Sequence, residues 1–259
     1  MKLINLNIAI RIDNADKVAR FLKEQHADII CLQEVCRIFD TSAKKKYHSQ
    51  RVLDKALKET HPYTFFSPMW VSESVREADK IVAEFGGLIE SGQYIMSKYP
   101  ITFASSDFVH KSYIYPMRFL EGDHGRCLQR AIILYKKKKL QIGNIHGHWT
   151  KDKMGDKKCE KQNQMIVEIL QSENIPTILV GDVNLLPNAP SMKILNKHFR
   201  NIVSEYEITS TRPKFDDGLD SGGVVVDYVL TEGDIEVNDC YTIETDISDH
   251  YPLVLEFTF

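Results

Sequence analysis

Short apolar runs that stop on a polar residue recur along this chain, and they restrict its fold more than any other feature. Ile29-Ile30-Cys31-Leu32 ends at Gln33-Glu34, and Thr177 to Val180 ends at Gly181-Asp182. Runs this short and continuous read as strands buried on both faces. Leu3 to Ile8 alternates like a strand, and Tyr94-Ile95-Met96, Val224 to Leu230 and Leu253 to Phe259 add further strand patterns. Between them lie groups at helical spacing: Val18, Phe21 and Leu22 after a cap at Asp13 or Asn14; Val52, Leu53, Ala56 and Leu57; Met165, Ile166, Ile169 and Leu170. Ala131 to Tyr135 and Leu140 to Ile145 form a hairpin-like pair around the lysine run Lys136 to Lys139, which reads as a solvated tip. Interleaved helices and strands with such a hairpin predict an α/β chain with mixed sheets rather than parallel ones. No Pro/Gly/Ser-rich linker, low-complexity tract or short repeat divides residues 1–259, so one domain is expected.

Composition narrows the function classes. The formal net charge is −3 and the sequence pI about 6.3. That balance lacks the basic footprint of a protein gripping nucleic acid through its phosphates. The cysteines are five, an odd number without a C-x-x-C pair, and read as free thiols in a reducing cytoplasm. Met1 to Ile10 is interrupted by Asn5 and Asn7 and reads as a first strand, not a signal peptide. No run approaches the ~18 apolar residues of a membrane span. A cytoplasmic protein with no obligate protein partner is expected.

The polar residues at the predicted strand ends are Asn7, Glu34, His146, Asp182 with Asn184, Asp227, and Asp249 with His250. Carboxylates and an amide beside apolar strands suit a hard cation such as Mg²⁺ or Mn²⁺. Zinc is less suited, because no His or Cys pair sits at ligand spacing.

These residues stand in blocks. Gly181-Asp182-Val183-Asn184, Ser248-Asp249-His250-Tyr251-Pro252-Leu253 and Val226-Asp227-Tyr228-Val229-Leu230 resemble signature blocks of the endonuclease/exonuclease/phosphatase superfamily. Leu6-Asn7-Ile8, Leu32-Gln33-Glu34-Val35 and Asn144-Ile145-His146 resemble the remaining ones, in the family's order. The resemblance implies a four-layer α/β/β/α sandwich, two packed mixed sheets with helices outside. It implies a Mg²⁺-dependent hydrolase, with Mn²⁺ as substitute, cleaving a phosphate ester, with a phosphodiester favoured. The substrate classes it allows are small molecules, lipid-like head groups and nucleic acid. A nuclease of the same family is the alternative, and a sandwich that has lost catalysis and only binds is a further one.

Residue by residue, the resemblance makes Glu34 the metal ligand, helped by Asp249 or by Asn7, which orients Glu34. Asp182 orients or deprotonates the attacking water, and Asn184 and His146 hold phosphate oxygens. His250 faces the phosphorus, and Asp227 orients its imidazole. The proton acceptor stays open between Asp182 and the His250–Asp227 pair. His148 competes with His146 for its place. Arg130, expected to open the strand Ala131 to Tyr135, is a further phosphate contact. Trp70 and Trp149 are expected to pack. Ala9 stands where abasic-site endonucleases and tyrosyl-DNA phosphodiesterases place an acidic residue, which weighs against those subfamilies. Arg37 to Gln50, Ser67 to Gln93 and Ser105 to Gln129 are expected as loops walling the substrate cleft.

Overall fold

The computed structural model describes residues 1–10, 12–39, 43–72, 85–113, 124–213 and 223–259. They form two six-stranded mixed sheets packed face to face. The first contains β1 (Lys2–Asn7), β2 (Ile29–Ile38), β3 (Tyr63–Ser72), β4 (Ile89–Ser97), β11 (Glu236–Thr242) and β12 (Leu253–Thr258), in the order β11-β12-β1-β2-β4-β3. The second contains β5 (Ile101–His110), β6 (Arg126–Tyr135), β7 (Lys138–His146), β8 (Thr177–Asp182), β9 (Arg200–Asn201) and β10 (Asp227–Glu232), in the order β5-β6-β7-β8-β10-β9. The helices α1 (Ala15–Gln25) and α2 (Ser49–Leu57) cover the outer face of the first sheet. On the second, α3 (Lys157–Leu170), α4 (Met192–His198) and α5 (Ile202–Glu205) do the same. This is the four-layer sandwich.

Each sheet has one parallel pair at its centre, β1 with β2 and β7 with β8. Parallel neighbours end at the same edge. Asn7 therefore lies opposite Gln33, one residue from Glu34, and His146 lies opposite Asp182. The antiparallel neighbours begin there: Asp227 opens β10 opposite Asp182, and β12, antiparallel to β1, follows directly on Asp249 and His250. Topology thus gathers six chain-distant segments at one rim of the sandwich.

The core between the sheets is not wholly apolar. Gln33, Gln93, Gln129 and Asn144 are fully buried there. Gln33 Nε2 donates to Asn144 Oδ1 (2.6 Å), and Asn144 Nδ2 donates to Leu32 O (3.1 Å) and Gln129 Oε1 (2.9 Å). Gln93 Nε2 donates to Cys127 O (3.0 Å) and Asn144 O (2.9 Å). Such a network fixes the register of one sheet on the other, because a slipped register leaves buried amides unsatisfied.

Of the segments expected as cleft loops, Ser67 to Gln93 and Ser105 to Gln129 are largely strand over their described residues: β3 runs to Ser72, β4 starts at Ile89, β5 runs to His110 and β6 starts at Arg126. Residues 40–42, 73–84 and 114–123 of the expected loop segments lie outside the described residues. Strands β5 and β11 are sheet edges, half-exposed and rich in polar residues, so they carry no apolar run to betray them. At the lysine run, Lys136 and Lys137 both take positive φ (47° and 69°), the conformation a two-residue hairpin turn needs, and Tyr135 pairs with Lys138.

Gly181 has φ +142°, and a Cβ there would stand 1.9 Å from the backbone oxygen of Ile145. The close approach of β7 to β8 leaves nothing flexible to yield. Gly181→Ala is expected to cost about 3–4 kcal/mol and to displace Asp182, the next residue. Chemical denaturation of the variant beside wild type checks this, and a loss below about 1 kcal/mol contradicts it.

Candidate active site

Local backbone conformation aims the side chains. Glu34 has φ +61° and sits where the β2–β4 register shifts between Leu32 and Val35, a bulge that turns its carboxylate out of the strand alternation. Ala9 (φ +57°) and Asn184 (φ +61°) share this conformation. Positive φ in non-glycine residues costs of order 1–3 kcal/mol each and gathers at functional sites. Asp182 and Asn184 do not share a strand: β8 ends at Asp182, and Asn184 is in a turn, its N–H donating to Asp182 Oδ1 at 3.0 Å. The turn, not the strand, puts both on the same side.

Asn7, Glu34, His146, Asp182, Asn184, Asp249 and His250 line one cleft of about 440 Å³. Asp227 stands behind it, wholly buried, with Oδ2 2.8 Å from His250 Nδ1. Asn7 Nδ2 donates to Glu34 Oε1 and to Asp182 Oδ2, each at 3.2 Å, and its own Oδ1 accepts from Ala9 N (3.0 Å). Ser248 Oγ donates to Asn7 O (2.6 Å), tying the His250 segment to β1. Asp182 Oδ2 is 3.7 Å from both His146 Nε2 and His250 Nε2. Thr211 Oγ1 accepts from Val226 N (3.1 Å) and Asp227 N (3.2 Å) and so holds the start of β10.

The two histidines are driven apart electrically. Burial and then the Arg126 guanidinium push His146 down to about 3, so its imidazole is neutral. Burial would also depress His250, but Asp227 and then Asp182 overcome it and raise it to about 9, so it is an imidazolium at neutral pH. For Asp182, burial raises the pKa, yet His250, His146 and Lys153 together hold the carboxyl below the usual carboxylate range. Glu34 is raised above it, by burial first and by Asp249 besides, despite hydrogen bonds from Ile10 N (2.8 Å) and Asn7.

The Glu34 environment bears on a metal. Its hydrogen-bonding partners are neutral, and a neighbouring carboxylate pushes it further toward protonation. Among the described residues no cation forms an ion pair with Glu34, although the His250 imidazolium acts on it from farther off, and such oxygen donors suit a hard divalent ion. Asp249 is less available, since Arg212 Nη2 pairs with its Oδ2 at 2.9 Å. Among the described residues it is Asp182, Asp227 and His250, not the Glu34 set, that bring ligand atoms within 4.8 Å of one another. There the Nδ1–Oδ2 hydrogen bond already engages His250 with Asp227, and a cation would have to displace it.

Arg130 is corrected. Strand β6 begins at Arg126, so Arg130 lies mid-strand, off the cleft, over the Phe103 ring and near Asp107 (3.9 Å) and Glu173 (3.7 Å). The strand-opening arginine at the cleft is Arg126, buried, with Nη1 3.5 Å from His146 O. His148 does not take the place of His146: its ring packs on His110 with centroids 4.7 Å apart. Trp70 packs as expected, buried in the cleft wall, whereas Trp149 is 50% exposed at the cleft. Of the expected walls, Met69, Trp70, Ser91, His124 and Arg126 do line the cleft, and Arg37 to Gln50 contributes none among the described residues. The residues missed are cations, Arg126, Lys153 and Arg212.

Residues 5–250 match the model of the endonuclease/exonuclease/phosphatase family. No curated protein matches the sequence. Among solved structures, a family protein from Leptotrichia buccalis C-1013-b superposes with a TM-score of 0.74 at 18% identity, each chain covered completely. A mannosyl-6-phosphatase from Bacteroides thetaiotaomicron VPI-5482 gives 0.67 at 15% identity, again with both chains fully covered. A humanized D. rerio TDP2 gives 0.68 at 14% identity, over 100% of this chain and 99% of the other. At these identities the likeness shows the fold. Among the described residues no helix is long and apolar enough to cross a membrane.

Proposed function

The chain belongs to the endonuclease/exonuclease/phosphatase family, and from that premise we propose that it hydrolyses a phosphate ester, a phosphodiester in the first instance, with Mg²⁺ or Mn²⁺ bound at Glu34. The observation that carries this reading is the convergence of Asn7, Glu34, His146, Asp182, Asn184 and His250 on one cleft, with Asp227 behind His250. The neighbours named for a phosphatase and for TDP2 share the fold and lend no substrate.

Glu34, with Asn7 and Asp249 beside it, would hold the cation, which when bound supplies Lewis-acid stabilisation of a non-bridging phosphate oxygen. Asp182 is the proton acceptor. Its carboxyl is held ionised against burial first of all by the His250 imidazolium, and it sits between the histidines at 3.7 Å from each. His250 cannot serve as base while it carries a proton; its imidazolium stabilises the extra charge on the phosphorane-like transition state. Neutral His146 donates a hydrogen bond to a phosphate oxygen, and Asn184 Nδ2, which also donates to Gly147 O (3.2 Å), offers its second N–H to another.

The test is turnover of bis(p-nitrophenyl) phosphate. Activity with Mg²⁺ or Mn²⁺ is expected, falling by at least about 10²-fold in EDTA and returning when the metal is restored. Turnover that persists in EDTA overturns the metal-dependent mechanism.

A further inference from the structure

Lys153 has a setting that the reaction described above does not require. The segment between β7 and α3 turns at this residue, φ +57°. Its backbone is anchored without the side chain: Lys153 N donates to Thr150 O (3.2 Å), Leu186 N donates to Lys153 O (2.9 Å), and Gly155 N donates to Thr150 Oγ1 (3.2 Å). The turn sends the long side chain into the cleft, where Nζ donates to Asn184 Oδ1 at 2.5 Å and lies 5.2 Å from the centre of the Trp149 ring. Asn184 is neutral. Among the described residues no carboxylate pairs with this ammonium, whereas Arg212 in the same cleft is matched by Asp249.

A partly buried ammonium costs solvation that a neutral amide oxygen only partly returns. Of its three N–H donors one is engaged by Asn184. Burial lowers its pKa to about 8, which a bound anion would reverse. The protein therefore places a cation that Asp182 and Asp227 act on only from beyond ion-pair distance, one hydrogen bond from the amide that we assign to a phosphate oxygen. It also holds that cation against the half-exposed Trp149, an aromatic surface at the cleft that would otherwise attract a quaternary ammonium.

We propose that Lys153 sets the charge preference of the cleft: it selects phosphoesters bearing a second negative charge beside the scissile phosphorus and rejects those bearing a cationic head group. The proposal rests on the phosphoesterase reading. The second charge has two sources, a dianionic monoester or a diester with an anionic arm, and substrates sharing one leaving group separate them.

The experiment compares p-nitrophenyl phosphate, bis(p-nitrophenyl) phosphate, thymidine 3′-phosphate 5′-(p-nitrophenyl phosphate) and p-nitrophenyl phosphorylcholine on wild type, Lys153→Met and Lys153→Arg. In Lys153→Met, kcat/KM is expected to fall about 10- to 100-fold on whichever of the first and third esters is a substrate, and less than about threefold on bis(p-nitrophenyl) phosphate. The choline ester is expected to be the poorest substrate of wild type and to improve in Lys153→Met. Lys153→Arg restores the preference for the second negative charge.

A binding readout stands apart from turnover. By calorimetry with Mg²⁺ present, Lys153→Met is expected to weaken inorganic phosphate about tenfold or more and to spare dimethyl phosphate. If no ester turns over but phosphate binding changes in this way, the phosphoesterase reading fails and the charge preference stands. Equal losses on all four esters, or an unchanged affinity for phosphate, overturn the charge preference and leave the phosphoesterase reading in place.

Discussion

Asp182→Asn is expected to lower kcat for phosphoester hydrolysis by about 10³-fold or more, the largest effect of any single substitution in the cleft. The variant keeps the shape and removes the charge. An amide oxygen at that position still accepts from Asn184 N, which donates to Asp182 Oδ1 at 3.0 Å, so the turn after β8 is retained. What is lost is the group between His146 and His250 that can take a proton from water. KM is expected to change little, because Asn184 and His146, the residues assigned to the phosphate, still line the cleft. Circular dichroism and thermal unfolding establish that the variant is folded. A folded Asp182→Asn enzyme retaining more than about a tenth of wild-type kcat means that another group accepts the proton.

Asp227→Asn comes second, with an expected loss of about 10²- to 10⁴-fold in kcat. Asp227 touches no substrate; it acts through His250, 2.8 Å away. Its carboxylate fixes the ring and supplies the largest contribution that keeps the imidazolium charged against burial. The substitution has a second readout in pH. The folded pKa of His250, about 9, lies above its ordinary value of 6.5, so its stabilising charge contact is complete below 6.5 and is lost as pH rises through 9. With Asp227 neutral that folded pKa falls. In metal-free protein the decline in Tm that wild type shows on approaching pH 9 is expected to move toward neutrality in Asp227→Asn. Thermal scans in EDTA between pH 6 and 10 read it directly, and an unmoved profile removes Asp227 as the source of the His250 charge.

A third arrangement concerns the cost of the site. Glu34, Ala9 and Asn184 all hold positive φ at the cleft, and the β2 bulge at Glu34 breaks the pairing with β4. Strain of that kind is tolerated only where the surrounding structure over-determines it. Here the buried amides between the sheets and the tight β7–β8 contact at Gly181 do so.

Much of this was legible in the residues themselves. Apolar runs before Glu34 and Asp182 marked two buried strands, because a strand covered on both faces has to be apolar; at Asp182 the strand does end, whereas β2 runs through the bulge at Glu34 to Ile38, with Val35 and Cys36 still buried. The order of the six blocks identified the family, and with it the mixed sandwich. Hidden were the edges and the cations. Strands β5 and β11 alternate weakly because only one side of them is covered, and the start of β6 at Arg126 rather than near Arg130 shifted which arginine reaches the cleft.

What the chain's order of residues determined alone is the set of acidic, amide and imidazole groups, since each stands beside or within a strand whose apolar run announces it. Their convergence was decided by the tertiary structure: the parallel pairs β1–β2 and β7–β8 end at the same rim, and the turns at Glu34 and Asn184 re-aim two of the side chains. The three cations were likewise decided in space. Lys153, Arg126 and Arg212 come from a turn, a strand start and a segment before β10, where no periodicity constrains the residue and only packing determines whether a long side chain points into the cleft or away from it.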